Sequence, residues 1–363
     1  MENLKIFSIG HYVSRTGTLF LHSLLDNHPS ILTIPGVIKL EKIIKKDIDN
    51  SITAFNFFEK DNPKFFDTSL LSPKDENNSG LWRLGENKNN KILTEKKVFK
   101  DNFLNYLNNN KKLTKKNIII AIYYAYAKTH NMNLDEKKIL LLHPHEKHIC
   151  LKFNDIFPES KFLIPIRDPV KVYFSIISMN KKKAKLRNQH YYPSAHLLDF
   201  VHGLEDFKNK GLNFYVIKFE DLNNKLKKKM MEISDYMRID FDEKMLESTF
   251  GGYKYWGNSF DNPRDKYINS KNFDYNNSSL KDLYFLKLLN FKISKKYNYN
   301  RDNFKKKEIL LGIILFFFPL KDEIIYIKNF NFKSILTYLK FILFFFPKRL
   351  ILLLIVLKNF LRN

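Results

Sequence analysis

The strongest constraint on the fold lies near the start of the chain, in the stretch IFSIGHYVSRTGTLFLHSLLDNHPSI, residues Ile6–Ile31. An apolar run is followed by a loop carrying Arg15 and Gly17, and an apolar helical pattern begins directly after it. This order predicts a buried strand over Leu4–Ile9 and a helix over Thr18–Leu25. A loop that enters a helix presents backbone amides and the positive end of the helix dipole to an anion. We therefore expect an anion-binding loop here.

Two later segments repeat the order of strand and helix. Lys161–Ile166 (KFLIPI) is predicted to be a strand, followed by a turn at Arg167-Asp168-Pro169 and a helix over Val170–Met179. Asn213–Phe219 (NFYVIKF) is predicted to be a third strand, followed by a basic amphipathic helix. Alternating strands and helices predict an α/β fold with a central parallel sheet. Ligands of such sheets bind at the carboxyl ends of the strands.

The pattern divides the chain into a domain over 1–300 and a tail over 301–363. Residues 37–140 of the domain are predicted to be mostly helical. The tail carries two apolar runs, ILFFFPLK and ILFFFPKR, each ended by a proline and too short to span a bilayer. Apolar helices beside basic residues suit the inner face of an anionic membrane. The alternative is that these helices cover the core or form a dimer.

Composition narrows the class of protein and its surroundings. The 363 residues are 44% apolar, which excludes a disordered chain, and their formal charge of +24 favours anionic partners. A sequence biased toward Lys, Asn, Ile and Phe would produce the same charge without any role in binding. The single cysteine, Cys150, allows no internal disulfide and no zinc site built on cysteine pairs. No signal-peptide pattern precedes the first strand, so we expect a cytoplasmic protein, peripheral at the inner face of the membrane.

The loop does not match the pattern of nucleoside triphosphatases, G-x-x-x-x-G-K-S/T. Gly17 is followed by Thr18 and Leu19, and the lysine is absent. The residues alone leave open a kinase-like transferase and a nucleotide-binding protein without catalysis. No recognisable nucleic-acid module is present, so nucleic acid is not an expected partner.

Two motifs carry a resemblance to a known family. SRTGTLFLHSLLDNHPSI resembles the 5′-phosphosulfate loop of sulfotransferases that use 3′-phosphoadenosine-5′-phosphosulfate (PAPS). KFLIPIRDPVKVYFS resembles their 3′-phosphate element, in which an arginine at a strand end, here Arg167, precedes a helical serine, here Ser175, by eight residues. NFYVIKFEDL and the W-x-G-N-S segment within Tyr253–Arg264 are weaker matches.

The resemblance implies a P-loop-like three-layer domain of the bacterial type. It implies in-line transfer of a sulfuryl group from PAPS to a hydroxyl or amine, with PAP as product and without a metal. We expect a carbohydrate or lipid-linked glycan as acceptor, bound by residues from 37–140 and 180–200. Arg15 would also stabilise charge in the transition state. The donor-binding residues that the resemblance implies are Ser14, Arg15, Thr16, Gly17, Thr18, Leu19, Arg167 and Ser175.

The general base has several candidates. Some family members use a glutamate about 20 residues after the loop arginine, where this chain has Ile34-Pro35-Gly36, and Glu41 is the nearest substitute. Others use a histidine about 22 residues before the phosphate-binding arginine, a spacing that selects His145, with His143 close by. A neutral histidine is a suitable base near pH 7. His28 is expected to fix a helix end instead.

Overall fold

The computed structural model describes most of the chain and divides it into two compact units. The described residues are 1, 3–72, 75, 79–109, 112–187, 197–257, 279–299, 313–324, 345 and 347–358, with the backbone alone at 182–187 and 280. The first unit comprises Met1–His11, Thr16–Ile166 and Phe207–Asn269. The second comprises Tyr12–Arg15, Arg167–Asp206 and Ser270–Asn363. The domain boundary expected near residue 300 stays a prediction.

The first unit is built on a five-stranded sheet in the order β2-β3-β1-β4-β5, with every neighbouring pair parallel. The strands are β1 (Lys5–Gly10), β2 (Ile31–Leu32), β3 (Ile139–His145), β4 (Lys161–Ile166) and β5 (Asn213–Lys218). The predicted α/β fold with a central parallel sheet is confirmed. The sequence reading missed β2 and β3, and β3 lies directly beside β1 in the sheet.

The described helices belong to both units. They are α1 (Thr18–Leu25), α2 (Glu41–Lys45), α3 (Ser51–Asp61), α4 (Lys96–Asn109), α5 (Lys115–Thr129), α6 (Lys147–Ile156), α7 (Pro169–Arg187), α8 (Leu197–Asn209), α9 (Phe219–Asn224), α10 (Leu226–Met237), α11 (Leu280–Leu289) and α12 (Phe291–Lys296). Short 3-10 helices occur at Thr68–Leu70 and Glu243–Leu246, and Thr249–Phe250 pairs antiparallel with Tyr253–Lys254. Region 37–140 contains α2 to α5 and the start of β3, with an irregular stretch between Leu71 and Glu95, and its description as mostly helical stays a prediction.

The core of the first unit has α1 and α10 packed with residues of β1, β3, β4 and β5. Phe7, Leu21, Leu141 and Ile233 are among the buried members of this cluster. Alternate residues of β1 and β3 belong to this cluster because successive strand side chains point to opposite faces of the sheet, although the central strands are buried almost throughout. Close packing extends to the end of β1, where a methyl group added at Gly10 would lie 2.4 Å from the Cys150 sulfur.

The second unit contains α7, α11, α12, most of α8 and the described part of the tail. Arg349 forms a buried ion pair with Glu323, and its guanidinium lies 4.4 Å from the ring centroid of Phe285 on α11. Phe316 packs against the same ring, with centroids 4.7 Å apart. Within the described ranges, no helix has both the length and the apolar character needed to cross a bilayer. The other tail residues, 301–312, 325–344, 346 and 359–363, lie outside the described part of the chain.

Candidate active site

The loop between β1 and α1 has the backbone of an anion-binding turn. Arg15 and Gly17 both have positive φ, 68° and 100°, a conformation found in concave loops whose amides converge on an anion. Gly17 is the N-cap of α1 and has no side chain with which to cap the first helical turn, whose amides point out of the helix end. A methyl group at Gly17 would lie 2.3 Å from Cδ2 of Phe219. Both the dihedral and the packing therefore require glycine.

A chain of histidines runs from the core to the start of α1. The Nδ1 atoms of His22 and His143 are 2.9 Å apart, and His143 Nε2 is 3.3 Å from His145 Nδ1. His145 Nδ1 is also 3.4 Å from the hydroxyl of Thr18, the first residue of α1. At its inner end, His22 Nε2 lies 2.8 Å from the hydroxyl of Thr33. One candidate base thus contacts the predicted anion loop directly.

Burial decides the charge of the inner rings. Loss of solvent lowers the pKa of His22 from 6.5 to about 3, although the Gly36 carbonyl acts in the opposite direction. The pKa of His143 also lies well below the ordinary value, first because of burial and then because of the neighbouring rings of His22, His145 and His11. His143 is therefore neutral and enclosed, whereas His145 is partly exposed. Of the two predicted histidine bases, His145 is the one with solvent-exposed surface.

His145 is held in place by the sheet. It ends β3 beside Gly10 of β1, and its carbonyl accepts a hydrogen bond from the backbone N–H of His11 at 3.2 Å. Its ring stacks on that of His11, with centroids 4.5 Å apart. Its φ of 62° is uncommon for a residue other than glycine. Such backbone strain concentrates at functional sites.

The alternative base, Glu41, lies in a different setting. Its carboxylate forms an ion pair with Lys45 at 3.1 Å and a hydrogen bond with His148 Nε2 at 3.3 Å. The hydrogen bond from Lys45, followed by the one from His148, lowers the pKa of Glu41. His148 also lies 3.3 Å from Glu146, and the ligand atoms of these three residues lie within 4.8 Å of one another. The group is largely exposed, and its contacts are those of a surface ion-pair cluster.

The hydrogen bonds of His28 are consistent with the predicted role of fixing a helix end. Its Nε2 donates to the Asp240 carbonyl at 3.0 Å, and its Nδ1 accepts from the Ser30 amide at 3.1 Å. It thereby pins the turn between α1 and β2.

In the second unit, the structure brings together two of the predicted donor-binding residues. Arg15 Nε donates a hydrogen bond to the Ser175 hydroxyl at 3.2 Å. The buried hydroxyl of Ser14 has no hydrogen-bond partner among the described residues. Such a group is costly unless a ligand or water satisfies it.

The Arg167-Asp168-Pro169 turn has a clear local cause. The Asp168 carboxylate accepts from the amide of Val170 at 2.9 Å and from that of Lys171 at 3.3 Å, and Pro169 occupies the first position of α7. These are the preferred residues for a helix N-cap and N1 position. Arg167 therefore lies between the last residue of β4 and Asp168, the N-cap of α7, and it is partly exposed.

The sequence reading missed His11, His22 and Thr33. The sequence signal nearest to them is the buried apolar run Ile139–Leu142, which is followed by His143 and His145 and forms the strand that they contact. This run is short and Pro144 follows it closely, so the strand was not predicted from the sequence. In the W-x-G-N-S segment, Trp256 donates to the Gly85 carbonyl at 2.7 Å. Residues 258–264 of that segment lie outside the described part of the chain.

A cavity of about 200 Å³ lies in the first unit and is entered from solvent. Ile34 and Pro35, which follow Thr33, form part of its wall. Most of its surface is apolar, and neutral polar and charged groups contribute the rest. Further lining residues include Val37, Ile38, Lys39, Asp61, Lys64, Phe65, Leu71, Asp75, Leu81, Ile92 and Tyr126.

Comparison with known proteins places the chain in a family. The chain is similar in structure to the sulfotransferase domain of the Synechococcus PCC 7002 olefin synthase, with 15% identity and a TM-score of 0.45, over 83% of this chain and 97% of that one. It is also similar to the sulfotransferase domain of the curacin biosynthetic pathway (16% identity, TM-score 0.37, covering 69% and 79%). For sulfotransferase STF9 of Mycobacterium avium, the identity is 12% and the TM-score 0.38, covering 67% and 66%. No curated protein matches the chain significantly by sequence. The profile of the Sulfotransferase family matches residues 6–243, well over half of the chain, and the protein therefore belongs to the Sulfotransferase family.

Proposed function

We propose that this protein is a PAPS-dependent sulfotransferase with His145 as its general base. Membership of the family implies sulfuryl transfer. The observation that carries the assignment of the base is the contact of His145 with Thr18, at the helix end that the anion loop leads into. A base has to stand within hydrogen-bond reach of the reacting group, and His145 is the partly exposed member of its histidine chain.

The proposed reaction is one in-line displacement. The acceptor O–H bond breaks and its proton passes to His145 Nε2, while the acceptor oxygen forms a bond to sulfur. The bond between sulfur and the bridging oxygen breaks, and its electron pair leaves with the 5′-phosphate of PAP. The group that gains negative charge is thus the departing phosphate. Donors placed around it in advance lower the barrier most effectively.

The loop and Arg15 are proposed to meet that charge. Amides that precede and begin α1, from Ser14 to Leu19, would donate to the 5′-phosphosulfate, and the side chain of Arg15 would stabilise the leaving phosphate. The Ser14 hydroxyl, which is buried and has no described partner, is a natural donor to an anion. Ser175 accepts the Arg15 Nε–H and so restrains the guanidinium. Arg167, with Ser175, is proposed to bind the 3′-phosphate.

The acceptor is proposed to be a carbohydrate or lipid-linked glycan, bound through the cavity described above. Its largely apolar surface suits an acceptor that carries an apolar portion, and Lys39 and Asp61 provide polar contacts for hydroxyl groups. A panel of simple sugars, glycolipids and lipid-linked glycans, offered with PAPS labelled on sulfur, tests this. Transfer to soluble sugars and not to lipid-linked ones would remove the apolar part of the proposal.

The tail is proposed to bring the enzyme to the anionic inner face of a membrane. Its described portion exposes large apolar side chains at Phe317, Phe318, Leu350 and Leu354, each about half exposed. Changing Phe317 and Leu354 to serine removes exposed apolar surface and leaves the buried pair of Arg349 with Glu323 intact. Flotation with anionic vesicles should decrease in this variant. Equal flotation of both proteins would contradict membrane contact through these residues.

Nucleotide binding tests the proposed function as a whole. Calorimetry should detect PAP binding without magnesium, and an Arg15→Ala variant should weaken it strongly. A Lys227→Ala variant is a suitable control, because Lys227 forms an exposed ion pair with Glu243 on the first unit. Binding of ATP only with Mg²⁺, and no binding of PAP, would instead indicate a kinase-like transferase.

A further inference from the structure

The inner members of the histidine chain have no part in the proposed displacement, yet their contacts determine where protons lie. We infer that Thr33, His22 and His143 are positioning residues that hold His145 as the tautomer with its proton on Nδ1. This inference rests on the proposed function, since it assigns these residues a task toward its general base.

The Leu141 carbonyl can only accept a hydrogen bond. The Thr33 hydroxyl donates its single proton to the Leu141 carbonyl at 3.1 Å. The same hydroxyl lies 2.8 Å from His22 Nε2, so it has to accept there, and Nε2 carries a proton. Because burial keeps His22 neutral, its Nδ1 is unprotonated and is an acceptor.

The ring of His143, which is next in the chain, is constrained in the same way. His143 Nδ1, which is 2.9 Å from His22 Nδ1, must be the donor of that hydrogen bond. His143 is neutral for the same reason as His22, so its Nε2 is an acceptor. His145 Nδ1, which is 3.3 Å away, therefore donates its proton to His143 Nε2. The Thr18 hydroxyl, at 3.4 Å from the same nitrogen, is a second acceptor.

The consequence concerns the outer nitrogen of His145. With the proton of the neutral ring held on Nδ1, the lone pair lies on Nε2, and that atom takes the proton of the acceptor hydroxyl. The opposite tautomer would present an N–H there and would have no basicity at that position. Among the described residues, the ring of His11 stacks on that of His145, and the Cys150 thiol lies 3.9 Å from the His145 carbonyl. The chain is thus a device that keeps the base in its reactive form.

Nuclear magnetic resonance of the full-length protein tests the inference without donor or acceptor. Labelling the ten histidines with ¹⁵N allows long-range ¹H–¹⁵N spectra to report which ring nitrogen carries the proton. Signals are assigned from His22→Asn, His143→Asn and His145→Asn variants. At pH 8 we expect the proton on Nε2 of His22 and on Nδ1 of both His143 and His145. A His145 proton on Nε2 in the unaltered protein would overturn the inference.

A matched pair of variants tests whether the chain is the cause. Thr33→Val has nearly the same shape and lacks the hydroxyl, whereas Thr33→Ser retains it. Thr33→Val should turn the single tautomer of His145 into a mixture, and Thr33→Ser should preserve it. An unchanged His145 signal in a folded Thr33→Val protein would refute the role of the chain. His130→Gln is the control, since His130 Nε2 lies 3.0 Å from the separate hydroxyl of Thr94 and the substitution should leave the His145 signal unchanged.

Calorimetry with PAP separates this inference from the proposed function. Thr33→Val should bind PAP as the unaltered protein does, because the change affects the base and not the anion loop. Absence of PAP binding in the unaltered protein would refute the proposed donor, while the histidine spectra would still test the tautomers. A loss of PAP binding in Thr33→Val alone would show that Thr33 supports the loop, and would contradict a role limited to the base.

Discussion

Replacing Gly17 with alanine adds one methyl group at the point where the anion loop enters α1. Two separate costs follow from the structure. Its φ of 100° is unfavourable for any residue with a Cβ, and left-handed backbone costs such residues about 1–2 kcal/mol. The methyl group would also lie 2.3 Å from Cδ2 and 2.8 Å from Cε2 of Phe219, so the ring must move. Overpacking of this kind costs about 1–3 kcal/mol.

The expected result is a loss of about 2–5 kcal/mol in the free energy of unfolding, the sum of the two effects. Urea denaturation measures this loss as a shift of the unfolding midpoint, provided that the dependence of the free energy on urea concentration is unchanged. Gly211→Ala is the matched control, because Gly211 has a φ of 74° in the same unit and no atom within 4 Å of the added methyl. It should lose only about 1–2 kcal/mol, the backbone part of the cost.

A double-mutant cycle isolates the clash. Phe219→Ala alone removes a buried ring and is expected to cost about 3–5 kcal/mol. In the Gly17→Ala background it should cost less, because it also relieves the contact, and the coupling should be about 0.5–3 kcal/mol. Equal losses in Gly17→Ala and Gly211→Ala, together with strict additivity, would refute the reasoning from packing. PAP affinity of Gly17→Ala should fall as well, since the displaced loop amides no longer converge.

Three further outcomes are expected. Arg15→Lys keeps the charge but loses the Nε–H that donates to the Ser175 hydroxyl at 3.2 Å. Hydrogen bonds of charged groups are worth about 1.5–3 kcal/mol, so PAP affinity measured by calorimetry should fall roughly tenfold or more. An unchanged affinity would exclude this contact from donor binding. The pKa of His22 is about 3 in the folded protein and 6.5 in the unfolded chain. Between these two pH values the unfolded chain binds more protons, so the free energy of unfolding decreases as pH falls below 6.5, by up to about 1.4 kcal/mol per pH unit. His22→Gln should flatten the dependence of urea unfolding on pH between 6.5 and 4, and an unaltered slope would assign acid sensitivity to other groups. Arg349→Met leaves the buried Glu323 without its cation and should cost about 3–5 kcal/mol, whereas a further change of Glu323 to leucine should restore much of the loss; equal stability of the single and double variants would contradict the ion pair as the cause.

Local features of the sequence were sufficient for the elements that flank the candidate site. The helix over Thr18–Leu25 and the strand over Lys161–Ile166 have the predicted bounds. The spacing of their apolar residues and the turn residues beside them determine these bounds within a few positions. The turn at Arg167-Asp168-Pro169 is similarly local, since Asp168 caps the helix that Pro169 begins. The loop between β1 and α1 was predicted from a strand, a glycine and the start of a helix alone.

Strand β3 shows where local reading failed. Its apolar run Ile139–Leu142 is short and the strand also contains Pro144, so the pattern alone does not distinguish a central strand from a loop. Its place beside β1 depends on pairing across more than 130 residues, such as Lys5 with Ile139. Long-range pairing is set by burial of whole faces of the sheet and leaves little trace in nearby sequence.

The sequence by itself determined the residue types, the motif order and thereby the family, because these follow from short stretches read independently. The tertiary structure alone decided that His22, on the first helix, meets His143 and that His145 reaches Thr18. Contacts between residues 121 and 127 positions apart arise only when parallel strands align and helices close over them. Burial then fixes the protonation of the rings, since the charge that a histidine carries depends on the solvent it has lost.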